Sequence, residues 1–186
     1  GQIERGVPQA KAAPLFNMIL FKKLKAVLGG CVKTIVSGGA PLASHVEQFL
    51  RTSMCCPVVQ GYGLTETMAA SFIAVPDDIR FYKTVGVPAP SVEFRLEAVP
   101  EMNYSPFDNP PRGEVLIRGP SVYAGYYKDE EQTKGAIDKD GYFHTGDVGE
   151  IHATGALKII DRKKNIFKLS QGEYVAVEAL ESVYKK

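Results

Sequence analysis

A chain of 186 residues has room for one domain, or for one domain and part of another. Its 45% hydrophobic and 23% charged content suits a globular protein with a core, and a net charge of +1 gives no reason to expect nucleic acid as a partner. No apolar run reaches the roughly 20 residues that cross a bilayer, and no secretory signal opens the chain. The three cysteines, Cys31, Cys55 and Cys56, form neither a disulfide framework nor a zinc spacing. They read as reduced thiols of an intracellular protein, mostly packing residues. Asn103-Tyr104-Ser105 matches the glycosylation pattern, but nothing else suggests secretion.

Residues 1–14 look irregular. Leu15 to Leu28 reads as a helix that Gly29-Gly30 ends. Its lysines, Lys22, Lys23 and Lys25, could lie on a membrane surface, but they fit the solvated face of an ordinary domain helix better. Val32 to Val36 reads as a buried strand, followed by a turn at Ser37-Gly38-Gly39. A helix over about Leu42 to Thr52, which Pro41 could start, carries Val46, Phe49 and Leu50 on one side. Pro57 to Gln60 is the next strand, and Gly61-Tyr62-Gly63 the next glycine turn. Strand, turn, helix, strand, turn is the order of an α/β sheet, whose ligands sit beyond the carboxyl ends of the strands.

From Ala69 the pattern changes. Val92 to Leu96 alternates, and Glu114 to Arg118 does so in part. Between them Pro100 to Gly113 holds four prolines and reads as a surface loop. Asp147 to Ile151 and Ala156 to Ile160 read as strands around a turn at 153–155. Asp161 to Lys164 is a charged run and a plausible boundary. A hairpin-like segment follows at Lys168 to Val175, then a helix from Val177 that is cut off at Lys186. The fold expected is therefore α/β: part of an α/β sheet layer over 1–90, a small antiparallel β subdomain over 91–161, and the start of a mobile α+β domain over 162–186.

The chemistry concentrates after Val59. Gly61 and Gly63 allow a sharp turn or a close approach of a ligand. Tyr62 offers a flat face to a planar base, Thr65 a donor to a phosphate oxygen, and Glu66 the hard oxygen that Mg²⁺ prefers. Gly61-Tyr62-Gly63-Leu64-Thr65-Glu66 only partly imitates the dinucleotide fingerprint, because Glu66 stands where its third glycine should be. Taken alone, the stretch is equally compatible with a turn that binds nothing.

The stretch resembles the central motif of the AMP-forming acyl-CoA synthetases, the adenylating superfamily that includes acetyl-CoA synthetase and firefly luciferase. Other motifs follow in the family's order. Ser37-Gly38-Gly39-Ala40-Pro41-Leu42 is similar to the preceding one. Gly113-Glu114-Val115-Leu116-Ile117-Arg118-Gly119 and Gly125-Tyr126-Tyr127 resemble the next. Asp140 to Gly149, containing His144-Thr145-Gly146-Asp147, resembles the ribose-binding motif, and Ile160 to Val175 the interdomain hinge motif. The Leu169-Ser170-Gln171-Gly172-Glu173 wording is similar to plant-type long-chain acyl-CoA synthetases. The likeness runs from about Phe21 to the last residue.

The resemblance implies a two-step ligase. A fatty carboxylate attacks the α-phosphorus of ATP, giving acyl-adenylate and pyrophosphate; the thiol of CoA then takes the acyl group and AMP leaves. It implies that Gly38, Gly39, Ala40 and the Gly61-Tyr62 backbone hold adenine with Tyr62 stacked on it. Thr65 would bind the α-phosphate, Glu66 would bind Mg²⁺, Asp147 the ribose hydroxyls, and Arg162 would reach the nucleotide. Lys164 aligns with the hinge, and Lys168 and Gly172 with the part that turns toward the thioester site. Charge neutralisation and alignment, rather than a protein nucleophile, are what such a reaction needs. Accordingly His45, His144 and His152 form no triad, and His144 reads as positional. The partners implied are a long-chain fatty acid, ATP and CoA, with possible peripheral membrane association at the cytosolic face of the endoplasmic reticulum or another organelle.

Two departures matter. The family usually has a small residue where Lys83 precedes Thr84-Val85-Gly86. The lysine-ended phosphate loop is expected upstream of Gly1 and the adenylation lysine beyond Lys186, so the chain reads as a fragment, inactive by itself. Two alternatives stay open: another adenylate-forming enzyme, such as a 4-coumarate-CoA ligase, and a non-catalytic nucleotide-binding paralogue.

Overall fold

The computed structural model describes residues 7, 11, 14–16, 21–168, 174–176 and 184, with the backbone alone for 167, 168 and 174–176. The helix expected from Val177 and the Gly172 position lie outside the described residues, Tyr184 apart. Two four-stranded sheets make the frame. In the first, β1 (Ile35–Ser37) pairs in parallel with β2 (Val58–Leu64), and β3 (Ala69–Ile73) and β4 (Val87–Pro88) follow antiparallel. The helix α2 (Ser44–Met54) makes the β1–β2 crossover; α1 (Lys22–Val27) precedes β1 and ends at Gly29 and Gly30, both with positive φ. The second sheet is an antiparallel meander of β5 (Glu93–Glu97), β6 (Arg112–Arg118), β7 (Phe143–Ile151) and β8 (Leu157–Arg162). A short helix, α3 (Glu130–Ala136), lies between β6 and β7, and β9 (Ile166–Lys168) pairs antiparallel with β10 (Tyr174–Ala176).

The sheets are fastened by backbone and by side chains. Val85 N–H donates to the Leu157 carbonyl at 2.8 Å, and Leu157 N–H to the Gly86 carbonyl at 2.8 Å. Phe72 of β3, Val115 and Ile117 of β6 and Leu157 of β8 form one fully buried cluster, with Tyr62, Phe94 and Ile159 packed around it. β6, paired on both edges by β5 and β7, is buried from Gly113 to Ile117, so Val115, Leu116 and Ile117 are apolar in succession rather than alternating. Burying each such side chain contributes about 1.5–3 kcal/mol. A second cluster, Val99, Met102, Val148 and Ile166, packs the Pro100–Met102 turn and the start of β9 against the other face of β7.

Several expectations are corrected. β1 starts at Ile35, not Val32, and it is not buried: Val36 is 65% exposed. The crossover helix does not start at Pro41 and does not bury an apolar side. Phe49 is 60% exposed, while Glu47, Arg51, Ser53 and Met54 face inward. Of the three cysteines, Cys31 is exposed, whereas Cys55 is half-buried and Cys56 buried. Within the charged run Asp161 alone is fully buried, and it accepts from Arg162 N–H at 2.7 Å, while Arg162 and Lys164 are exposed.

The largest correction concerns the supposed glycine turn. Gly61, Tyr62 and Gly63 are not a turn; they continue β2 to Leu64. Neither glycine has a positive φ. Their small size is used for close approach of the neighbouring strand. β3 bulges at Ser71, since Tyr62 pairs with Phe72 and Gly63 with Ala70. A Cβ on Gly63 would lie 1.6 Å from the Ala69 carbonyl oxygen. Gly63→Ala therefore has to move backbone, and is expected to lower stability by about 1–3 kcal/mol in a chemical-denaturation experiment on the full-length protein. Lys83, the departure noted above, adopts φ 64°, a left-handed conformation that favours glycine over any residue with a Cβ.

Candidate functional site

The site begins with an irregularity in β7. Glu114 pairs with Val148 and Leu116 with His144, so Thr145, Gly146 and Asp147 together face Val115 alone. The extra residues bow out of the ladder, as bulges near functional sites commonly do. Gly146 takes φ 70°, a left-handed conformation that glycine adopts without cost. Thr145 locks the bow: its hydroxyl donates to the Val115 carbonyl at 2.7 Å and accepts from Asp147 N–H at 3.0 Å. Gly146 N–H donates to Glu114 Oε1 at 3.2 Å.

The bow brings Asp147 to Tyr62, a residue of the other sheet. The Tyr62 hydroxyl donates to Asp147 Oδ2 at 2.7 Å. Arg162, the cross-strand partner of Asp147 on β8, places Nε 3.5 Å from Oδ1. Burial raises the Asp147 carboxyl above its ordinary value, although the Tyr62 hydrogen bond and the Arg162 charge both pull it down. Burial, and then the charge of Asp147, push the Tyr62 phenol up as well. Tyr62, Asp147 and Arg162, expected from sequence to share a nucleotide, thus share one locus.

The loop at 38–40 lies beside the same strand. A Cβ on Gly38 would meet the Gly61 carbonyl oxygen at 3.3 Å, and Gly39 has φ 84°. Gly39 and Ala40 are exposed. Thr65 and Glu66 sit on the short turn (Thr65–Thr67) that closes β2, Thr65 exposed and Glu66 half-buried. Thr67 holds this turn, its hydroxyl accepting from Leu64 N–H at 3.0 Å. Lys164 is exposed on the turn (Lys163–Asn165) after Arg162. Lys168 ends β9, and its side chain lies outside the described residues.

Four residues that lie within the motifs, but to which the sequence assigned no part at the site, take part in it. Tyr126 donates its hydroxyl to Glu66 Oε1 at 3.0 Å, from a segment some sixty positions away. Thr145 and Glu114 shape the bow that carries Asp147, and no spacing rule points to either. Lys163, within the charged run, places its Nζ 3.5 Å from Glu114 Oε2 and 3.3 Å from Glu101 Oε1. That ammonium also bears on the group formed by Glu97, Glu114 and His144, whose ligand atoms all lie within 4.8 Å of one another. With Lys163 and Gly146 N–H both on the Glu114 carboxylate, its charge is already compensated.

The two sheets thus meet at a tyrosine, an aspartate and an arginine, with the 38–40 loop beside Gly61 and the half-buried Glu66 at the end of β2. The chain belongs to the AMP-binding enzyme family, whose model matches residues 10–127. It is 55% identical to long chain acyl-CoA synthetase 4 of Arabidopsis thaliana over 184 residues, which is 99% of this chain and 28% of that protein. Among solved structures, it is similar to the A domain of a carboxylic acid reductase from Segniliparus rugosus, in complex with AMP and a co-purified carboxylic acid. That match has TM-score 0.77 and 33% identity, and covers 98% of this chain and 28% of the other. It is also similar to O-succinylbenzoate coenzyme A synthetase from Bacillus subtilis in complex with ATP and magnesium ion, with TM-score 0.70 and 25% identity over 88% of this chain and 34% of the other. The chain thus spans little more than a quarter of the length of the plant synthetases it matches.

Proposed function

We propose that the protein containing this chain is a long-chain fatty acid–CoA ligase. It couples a fatty carboxylate to AMP with release of pyrophosphate, then passes the acyl group to the thiol of CoA with release of AMP. The observation that carries the reading is the Tyr62–Asp147–Arg162 convergence within a chain 55% identical to a long chain acyl-CoA synthetase.

The geometry supports the following roles. Asp147 presents a carboxylate that can accept from two neighbouring ribose hydroxyls, with the Tyr62 hydroxyl and Arg162 against its two oxygens. The Tyr62 ring and the backbone of Gly61, Gly38, Gly39 and Ala40 provide the walls for adenine. Thr65, exposed on the turn that closes β2, is assigned to the α-phosphate. Glu66 fits a magnesium ligand: Tyr126 occupies one oxygen, and no Lys, Arg or His pairs with the carboxylate among the described residues. Bound there, Mg²⁺ would neutralise phosphate oxygens. Lys164 is the proposed pivot between the two half-reactions, and Lys168 is assigned to the second. Peripheral membrane contact would bring a poorly soluble fatty acid to the site.

The test is an assay of the full-length protein with oleate, ATP, CoA and Mg²⁺. Oleoyl-CoA, AMP and pyrophosphate are expected in equal amounts. Formation of ADP, or preference for 4-coumarate over oleate, would overturn the reading; no turnover of any acid would favour a nucleotide-binding paralogue.

A further inference from the structure

Glu66 is held from two directions by a segment that the sequence motifs leave without a role. Its backbone carbonyl accepts from Tyr123 N–H at 2.8 Å, and its Oε1 accepts from the Tyr126 hydroxyl at 3.0 Å. The two tyrosines stack edge to face, centroids 4.9 Å apart at 71°, and Tyr123 stacks in the same way on Phe143 of β7, 5.6 Å away at 84°. The segment is in turn tied to α3. Tyr126 N–H donates to Thr133 Oγ1 at 2.9 Å, and the Thr133 hydroxyl donates to the Asp129 carbonyl at 2.7 Å. Gly125 permits this contact, since a Cβ there would lie 2.6 Å from Thr133 Cγ2.

We propose that Tyr126 is a positioning residue that orients the Glu66 carboxylate for a divalent cation, a role resting on the reading of Glu66 as the magnesium ligand. The donor is suited to this work. A neutral phenol fixes one carboxylate oxygen without adding positive charge, whereas a lysine or arginine in its place would repel the cation. One lone pair of Oε1 is used, which leaves Oε2 to reach the metal and sets the carboxylate plane beforehand. Hydrogen-bond donors that orient metal ligands in this way are worth about 10–100-fold in metal affinity.

The experiment uses the full-length protein with Mn²⁺ as a spectroscopic stand-in for Mg²⁺. Free Mn²⁺ is followed by electron paramagnetic resonance during titration in the presence of a non-hydrolysable ATP analogue. Tyr126→Phe keeps both rings and removes one hydroxyl. It is expected to weaken Mn²⁺ binding about 10-fold, to leave AMP affinity unchanged, and to recover its turnover at saturating Mg²⁺. Thr133→Val, which frees the Tyr126 backbone without touching its side chain, is expected to shift the curve in the same direction by less. If Tyr126→Phe superposes on the wild type while Glu66→Gln loses Mn²⁺, Tyr126 has no positioning role. A Tyr126→Phe protein that loses AMP affinity and stability together, with no recovery at high Mg²⁺, would also overturn the proposal, leaving a purely structural hydroxyl. If Glu66→Gln itself superposes on the wild type, the magnesium reading of Glu66 fails instead.

Discussion

Replacing Asp147 with alanine in the full-length protein is expected to lower kcat/KM for ATP by about 10²–10³-fold, with most of the loss in KM. Two hydrogen bonds from ribose hydroxyls to a charged acceptor are at stake, each worth about 1.5–3 kcal/mol. The sum, discounted for water entering the emptied space, is about 3–4 kcal/mol, and each 1.36 kcal/mol is tenfold in rate. The charge also gives the effect a pH signature. Burial holds the Asp147 carboxyl above the ordinary value of about 3.9. Only the ionised form accepts from both hydroxyls, so ATP affinity in the wild type should fall as the pH drops through the raised value, sooner than an exposed aspartate would allow. Asp147→Asn should lose affinity at neutral pH and show no such fall. Stability should move the other way. A carboxyl whose folded value is raised destabilises the fold once pH exceeds the unfolded value, so Asp147→Asn should unfold at slightly higher denaturant than wild type at pH 7. A KM for ATP within twofold of wild type in Asp147→Ala would remove the carboxylate from the nucleotide site.

What could be read from the residues divides along a physical line. Features set by neighbours in sequence were legible: the β1–α2–β2 crossover, the meander strands, and the turn at Gly155 with φ 80°. Features set by contacts across the fold were not. Gly61 and Gly63 look like a turn because glycine is usually kept for its backbone freedom, yet here it is the missing side chain that matters, against β3. The helix α3 escaped notice because it is short, polar and exposed; its signal is the Asp129 cap, which accepts from Gln132 N–H at 2.9 Å. The candidate site shows the same division. Tyr62, Glu66 and Asp147 were singled out through motifs, whereas Tyr126, Thr145 and Glu114, though inside motifs, make their contacts by proximity that only the folded chain creates. Even Asp147 owes its place to a bow in β7 that the alternating pattern did not announce.

Arg51→Ala is expected to destabilise the protein by about 3–5 kcal/mol, the cost of leaving one member of a buried ion pair alone. Arg51 and Glu47 lie one turn apart on α2, with side chains 6% and 2% exposed and Nε 3.1 Å from Oε1. Arg51 also donates to the Val58 carbonyl at 2.6 Å, and Gln60 Nε2 donates to Glu47 Oε2 at 2.9 Å. The pair thus bolts the helix to the strand whose next residues are Gly61 and Tyr62. Burial already raises the Glu47 carboxyl, against the pull of Arg51. Without the arginine it should rise further, because nothing then offsets the desolvation. The sign of the pH effect follows: a raised folded-state value makes the variant lose stability as pH rises above the unfolded carboxyl value, and regain it on acidification. The deficit should therefore be larger at pH 8 than at pH 5.5 in denaturant titrations of the full-length protein. Replacing both partners, Glu47→Leu with Arg51→Met, should return most of the loss, since an apolar pair of similar volume leaves no buried charge. A deficit below about 1 kcal/mol for Arg51→Ala, or one independent of pH, would mean that Glu47 is not desolvated in solution and that α2 is not fastened to β2 by this pair.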